Sequence, residues 1–117
     1  MRDIEHKMQC ACVRWFRYQY PELAGLLFAI PNGGARNAAT GRRLKDEGVL
    51  AGVADMFLSV PAKGAHGLYI ELKTLKGVVS DRQKVFADNV VGMGYMWEVC
   101  RTFDDFRRVV TGYLCRP

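Results

Sequence analysis

From Gly52 to Lys73 the chain reads Gly-Val-Ala-Asp-Met-Phe-Leu-Ser-Val, a turn, and then Gly-Leu-Tyr-Ile-Glu-Leu-Lys. Met56, Leu58 and Val60 alternate with Asp55, Phe57 and Ser59, while Leu68, Ile70 and Leu72 alternate with Tyr69, Glu71 and Lys73. Each run has the two-residue period of a strand, and Pro61, Gly64 and Gly67 punctuate the turn between them. The stretch therefore predicts a hairpin. On its second strand Glu71 and Lys73 are two residues apart, so they project from one face at a spacing of roughly 6–7 Å, and Asp55 can join them from the neighbouring strand. Charges are costly to bury in a sheet unless they pair or bind a metal. Two carboxylates and an ammonium gathered there mark the hairpin as a candidate site.

Asp55, a spacer and Glu71-Leu72-Lys73 have the form Asp…Glu-x-Lys, which resembles the PD-(D/E)XK nuclease superfamily. Four further features are similar to the VRR-NUC family within it, in its stand-alone, virus- or phage-type form. They are the lead-in Gly48 to Asp55, Asn32-Gly33-Gly34 upstream, the Gly77 to Gln83 segment after the lysine, and Glu5 near the start of the first helix. The resemblance runs from about Asp3 to Val110, with Ala54 standing where many relatives carry proline before the aspartate.

That resemblance implies an α/β, restriction-endonuclease-like fold, with a central mixed sheet of about four strands flanked by helices. It also implies metal-assisted hydrolysis of a DNA phosphodiester. Asp55 and Glu71 become ligands of Mg²⁺ or Mn²⁺, for which hard carboxylate oxygens are suited, with the carbonyl of Leu72 and the carboxylate of Glu5 as further candidates. Lys73 becomes the residue that positions or helps deprotonate the attacking water. Gln83 has two readings, a helix cap or a group orienting the site. The partner implied is DNA, branched or four-way, gripped by a homodimer for which Met93, Met96 and Trp97 are candidate interface residues. A non-catalytic basic DNA-binding module on the same fold is the competing class.

In chain order, Asp3 is the expected N-cap of a helix to about Tyr20, stopped by Pro21, with Met8, Cys12, Trp15 and Phe16 as its apolar stripe. Leu26 to Ile30 reads as a short buried strand closed by Pro31-Asn32-Gly33-Gly34. Arg36 to Glu47 reads as a polar helix ended by Gly48. After the hairpin, Ser80-Asp81-Arg82-Gln83 is a capping box opening a helix through about Val91. Tyr95 to Cys100 reads as the final strand, and Thr102 caps a last helix through Tyr113.

A chain of 117 residues with half its residues hydrophobic is expected to form one domain, spanning 1–117. Seventeen Lys and Arg against twelve Asp and Glu leave a net charge of +5, which suits a polyanionic partner. Arg36, Arg42, Arg43, Lys76 and Lys84, with the backbone of Asn32, Gly33 and Gly34, are the candidate DNA contacts. No apolar run approaches membrane-span length, and Met1 to Glu5 is too acidic and polar to open a signal peptide. The expectation is a cytoplasmic protein. Cys10, Cys12, Cys100 and Cys115 lack metal-box spacing and are expected to be buried, reduced thiols.

Overall fold

The computed structural model describes residues 2–31 and 38–115. Helix α1 spans Arg2–Gln19, a 3-10 segment follows over Pro21–Leu26, and strand β1 covers Leu27–Ala29. Helix α2 spans Ala38–Asp46. Strands β2, Met56–Leu58, and β3, Leu68–Leu72, form the hairpin. Helix α3 spans Asp81–Gly92, β4 spans Met96–Cys100 and α4 spans Phe103–Leu114.

The four strands lie in the order β1-β2-β3-β4. β1 with β2 and β2 with β3 are antiparallel, whereas β3 and β4 are parallel and joined through α3. The α/β class and the mixed four-stranded sheet flanked by helices are thus as expected. Alternation along the hairpin sends Met56, Leu58, Leu68, Ile70 and Leu72 into the core, all essentially without exposure. Cys12 and Phe16 of α1 and Phe106, Val110 and Tyr113 of α4 meet them there. Trp15 seats its ring edge-on against Tyr20, Phe103 and Phe106, with centroids about 6 Å apart, and so ties α1 to α4. α3 covers the opposite face, where Phe86 meets Tyr69 edge-on at 5.1 Å.

Several local expectations change. α1 begins at Arg2, so Asp3 is in its first turn instead of capping it, where its charge still complements the helix dipole. The strand expected over Leu26 to Ile30 shortens to Leu27–Ala29, and of its residues only Leu27 is buried. Among the described residues it is an edge strand paired to β2, and the 3-10 segment begun by Pro21 takes Leu26. Cys10 and Cys115 are exposed, contrary to expectation. Cys10 is two residues from buried Cys12, which on a helix turns it to the outer side. Cys12 and Cys100 are buried free thiols, and burial pushes both up to about 12, so they stay protonated. The caps at Ser80 and Thr102 form as read: Thr102 Oγ1 accepts the Asp105 N–H at 3.0 Å. No helix among the described residues is long and apolar enough to cross a membrane.

Candidate active site

The register Met56↔Ile70 and Phe57↔Tyr69 fixes the site. Extended by one residue, it brings Asp55, just ahead of β2, opposite the Glu71 end of β3. Asp55 Oδ2 accepts the backbone N–H of Leu72 at 2.7 Å, which pins its carboxylate to the strand. In an extended strand the N–H and C=O of one residue point to the same edge, so the Leu72 carbonyl faces the Asp55 side as well. Lys73 continues the parallel ladder, its N–H donating to the Cys100 carbonyl at 3.0 Å.

The lead-in to Asp55 turns at Gly52, where φ is +93°. A Cβ there would stand 2.6 Å from the Arg82 carbonyl oxygen, so only glycine lets this loop lie against the start of α3. That contact sets Gln83 over the sheet. Its Nε2 donates to Glu71 Oε2 at 2.9 Å, while its Oε1 accepts the Ser80 N–H at 2.9 Å. Gln83 is therefore both the cap and a partner of the site.

Glu71 is only 3% exposed, with Gln83 bound to its Oε2 and Lys73 Nζ standing 3.9 Å from the same oxygen. Its other oxygen, Oε1, is buried with no hydrogen-bond partner. Burial first, and then the Asp55 charge, push its carboxyl up to about 8, with Lys73 opposing and Glu5 adding a smaller repulsion. Burial also raises Asp55, against the lowering effect of the Leu72 N–H and then of Glu71 and Lys73. Two carboxyls in one dry place resist holding two negative charges, so the pair holds a proton above the usual carboxylate range. The site thus sets a buried oxygen without a hydrogen-bond partner beside a second carboxylate, and such an oxygen is a hard donor.

Asp55, Glu71, Leu72, Lys73 and Gln83 are thus brought together. Glu5 is felt by Glu71 electrostatically, but among the described residues no three His, Cys, Asp or Glu side chains close on one point. The donor set is two carboxylates and a backbone carbonyl. Lys76, Lys84, Arg42 and Arg43 are exposed, the first in the turn after β3, the second on α3 and the pair on α2. Asn32, Gly33, Gly34 and Arg36 lie outside the described residues. α2 and residues 48–51 border α3 across a cleft of about 570 Å³, with Lys45 and Arg82 at its walls. One neighbour of the site went unread in the sequence: Arg101, just past β4, binds the turn that follows Lys73. It belongs to no motif, and nothing in its spacing points to that turn.

The model of the VRR-NUC domain family matches residues 3–104. A solved structure described as a VRR_NUC domain protein is similar with a TM-score of 0.83 at 23% sequence identity, over 94% of this chain and 87% of that chain. Likeness at that identity bears on the fold. No curated protein sequence matches this one.

Proposed function

Because the chain belongs to the VRR-NUC family, a nuclease-type family, we propose that it is a divalent-metal-dependent endonuclease hydrolysing phosphodiester bonds in branched DNA. The observation that carries this reading is Glu71, whose buried carboxyl has one oxygen held by Gln83 and the other without a partner beside Asp55. A fold gains nothing in stability from such a group. A binding module has no use for it either, since two carboxylates would face a phosphate.

Asp55, Glu71 and the Leu72 carbonyl fit Mg²⁺ or Mn²⁺, with Glu5 adding negative charge nearby. When bound, such an ion lowers the pKa of a water and offsets the charge that develops on the phosphate. The chain's own groups do the rest. The Leu72 N–H and the Gln83 amide hold the carboxylates in place before substrate arrives, so little reorganisation is left for the reaction. Lys73 Nζ, beside Glu71, orients the attacking water and neutralises a phosphate oxygen. Attack at phosphorus breaks the bond to O3′ and leaves a 5′-phosphate and a 3′-hydroxyl. Arg42, Arg43, Lys76 and Lys84, with Arg36 and the Asn32 to Gly34 backbone, grip the sugar-phosphate chain. A homodimer presents two such sites to a four-way junction, whose paired cuts need both.

Purified protein incubated with flap, splayed, nicked and four-way DNA in Mg²⁺, Mn²⁺ or EDTA tests the reading. Cleavage is expected with metal and not with EDTA, and Asp55→Ala or Lys73→Ala should lower it by ~100-fold or more. Robust cleavage by Asp55→Ala protein would sink the assignment.

A further inference from the structure

The turn after Lys73 is held by a side chain that has no part in the chemistry above. The Gly77 N–H donates to the Thr74 carbonyl at 3.1 Å and closes residues 74–77 into a tight turn. Arg101, the first residue after β4, directs Nη1 onto the carbonyl oxygens of Thr74 at 2.8 Å and Gly77 at 2.7 Å, with a longer approach to Leu75 at 3.4 Å. Its backbone is fixed in turn, because the Arg101 N–H donates to Asp105 Oδ2 at 2.9 Å and Asp105 is itself bound to the Thr102 cap. The guanidinium is thus aimed from the start of α4.

The turn is also a neighbour of the lysine side chain. A Cβ built on Gly77 would meet Lys73 Cδ at 3.4 Å and Thr74 Oγ1 at 3.2 Å, so the turn runs alongside the Lys73 stem. The Lys73 main chain is secured by the Cys100 carbonyl, the residue immediately before Arg101. One short segment of chain therefore holds both the backbone of the lysine and the turn beside its side chain. A lysine stem without such a neighbour samples many rotamers, and a misplacement of about 1 Å at a reacting centre can lower a rate by ~100-fold.

The geometry points to Arg101 as a positioning residue for Lys73. By bridging the Thr74 and Gly77 carbonyls it keeps the ammonium beside Glu71. The inference rests on Lys73 belonging to the nuclease centre proposed above. Arg101 is partly exposed and its guanidinium bonds go to the turn, not the core, so its removal leaves carbonyls that water can reach.

The test uses full-length Arg101→Ala and Arg101→Lys. Single-turnover cleavage of end-labelled four-way DNA in Mg²⁺ is measured alongside the ¹³Cε relaxation of Lys73, assigned by the signal lost in Lys73→Arg. For Arg101→Ala the rate at saturating DNA should fall ~10- to 100-fold, with half-saturation nearly unchanged and the Lys73 Cε order parameter lowered. Arg101→Lys should recover part of the loss. In a Lys73→Ala background, Arg101→Ala should cost nothing further. Multiplying losses in that double variant, or unchanged Lys73 relaxation in Arg101→Ala, would overturn the inference. If the parent protein cleaves none of the DNAs, the nuclease reading fails, and the relaxation measurement still decides whether Arg101 orders Lys73.

Discussion

Glu71 offers a measurable conflict between folding and function. Burial and then the Asp55 charge push its carboxyl up from the ordinary 4.5 to about 8. Between those values the folded protein keeps a proton that the unfolded chain has released. The raised value therefore supplies stability that is fully present below pH 4.5 and is lost as pH rises through about 8. One pH unit corresponds to ~1.36 kcal/mol, which puts the ceiling near ~5 kcal/mol. Side-chain relaxation and the high effective dielectric of a site that water can reach when the charge forms bring the expected effect to ~2 kcal/mol. Glu71→Gln keeps the shape and an acceptor for Gln83 but cannot ionise. In EDTA the variant should match the parent near pH 5 and exceed it at pH 8.5 by that amount. A domain of this size should then melt roughly 10 °C higher. Millimolar Mg²⁺ or Mn²⁺ should raise the melting temperature of the parent at pH 8.5 and leave that of Glu71→Gln nearly unchanged. Parallel pH profiles for the two proteins in EDTA would refute the argument, as would a variant that is the less stable at alkaline pH.

Three further outcomes follow from other parts of the molecule. Replacing Arg42 and Arg43 together by Ala should flatten the plot of log affinity for DNA against log salt by ~1–2, measured by fluorescence anisotropy, if each meets a phosphate. Gly52→Ala places a methyl 2.6 Å from the Arg82 carbonyl at a φ of +93°. It should destabilise the fold by ~1–3 kcal/mol in a urea titration and slow cleavage by shifting Gln83. Light scattering at micromolar concentration should report about twice the chain mass if the proposed dimer has a standard-sized interface. Met93 is 75% exposed and free to serve it, whereas Met96 packs against the core.

The elements that were legible in the sequence are those whose cause is local. The alternation through Met56 to Leu58 and Leu68 to Leu72 is a property of a strand with one face in a core, and the Ser80 and Thr102 caps are bonds to residues three further on. Asp55, Glu71 and Lys73 could be read because charge on a buried strand conflicts with its surroundings. The unread parts depend on contacts distant in sequence. Phe28 is exposed on β1, beyond which the described residues place no further strand. Arg101 lies 24 to 27 residues beyond the carbonyls it binds, and no spacing rule reaches that far.

Gln83 shows how a local rule can be right and incomplete. A Ser-x-x-Gln box requires only that the glutamine carbonyl oxygen turn back to the Ser80 N–H, and that bond is present at 2.9 Å. Once Oε1 is committed, amide planarity fixes where Nε2 must point, and the Gly52 contact has already set this end of α3 against the Asp55 loop. The NH₂ group then has a partner ready, Glu71 Oε2 at 2.9 Å. Capping and orientation are two ends of one rigid group, so the cap aims the site. By using Oε2, the amide leaves Oε1 buried without a hydrogen-bond partner. A glutamate at this position would cap equally well, but it would set a third negative charge against Glu71. The cap alone cannot distinguish the two residues, and the buried carboxylate can.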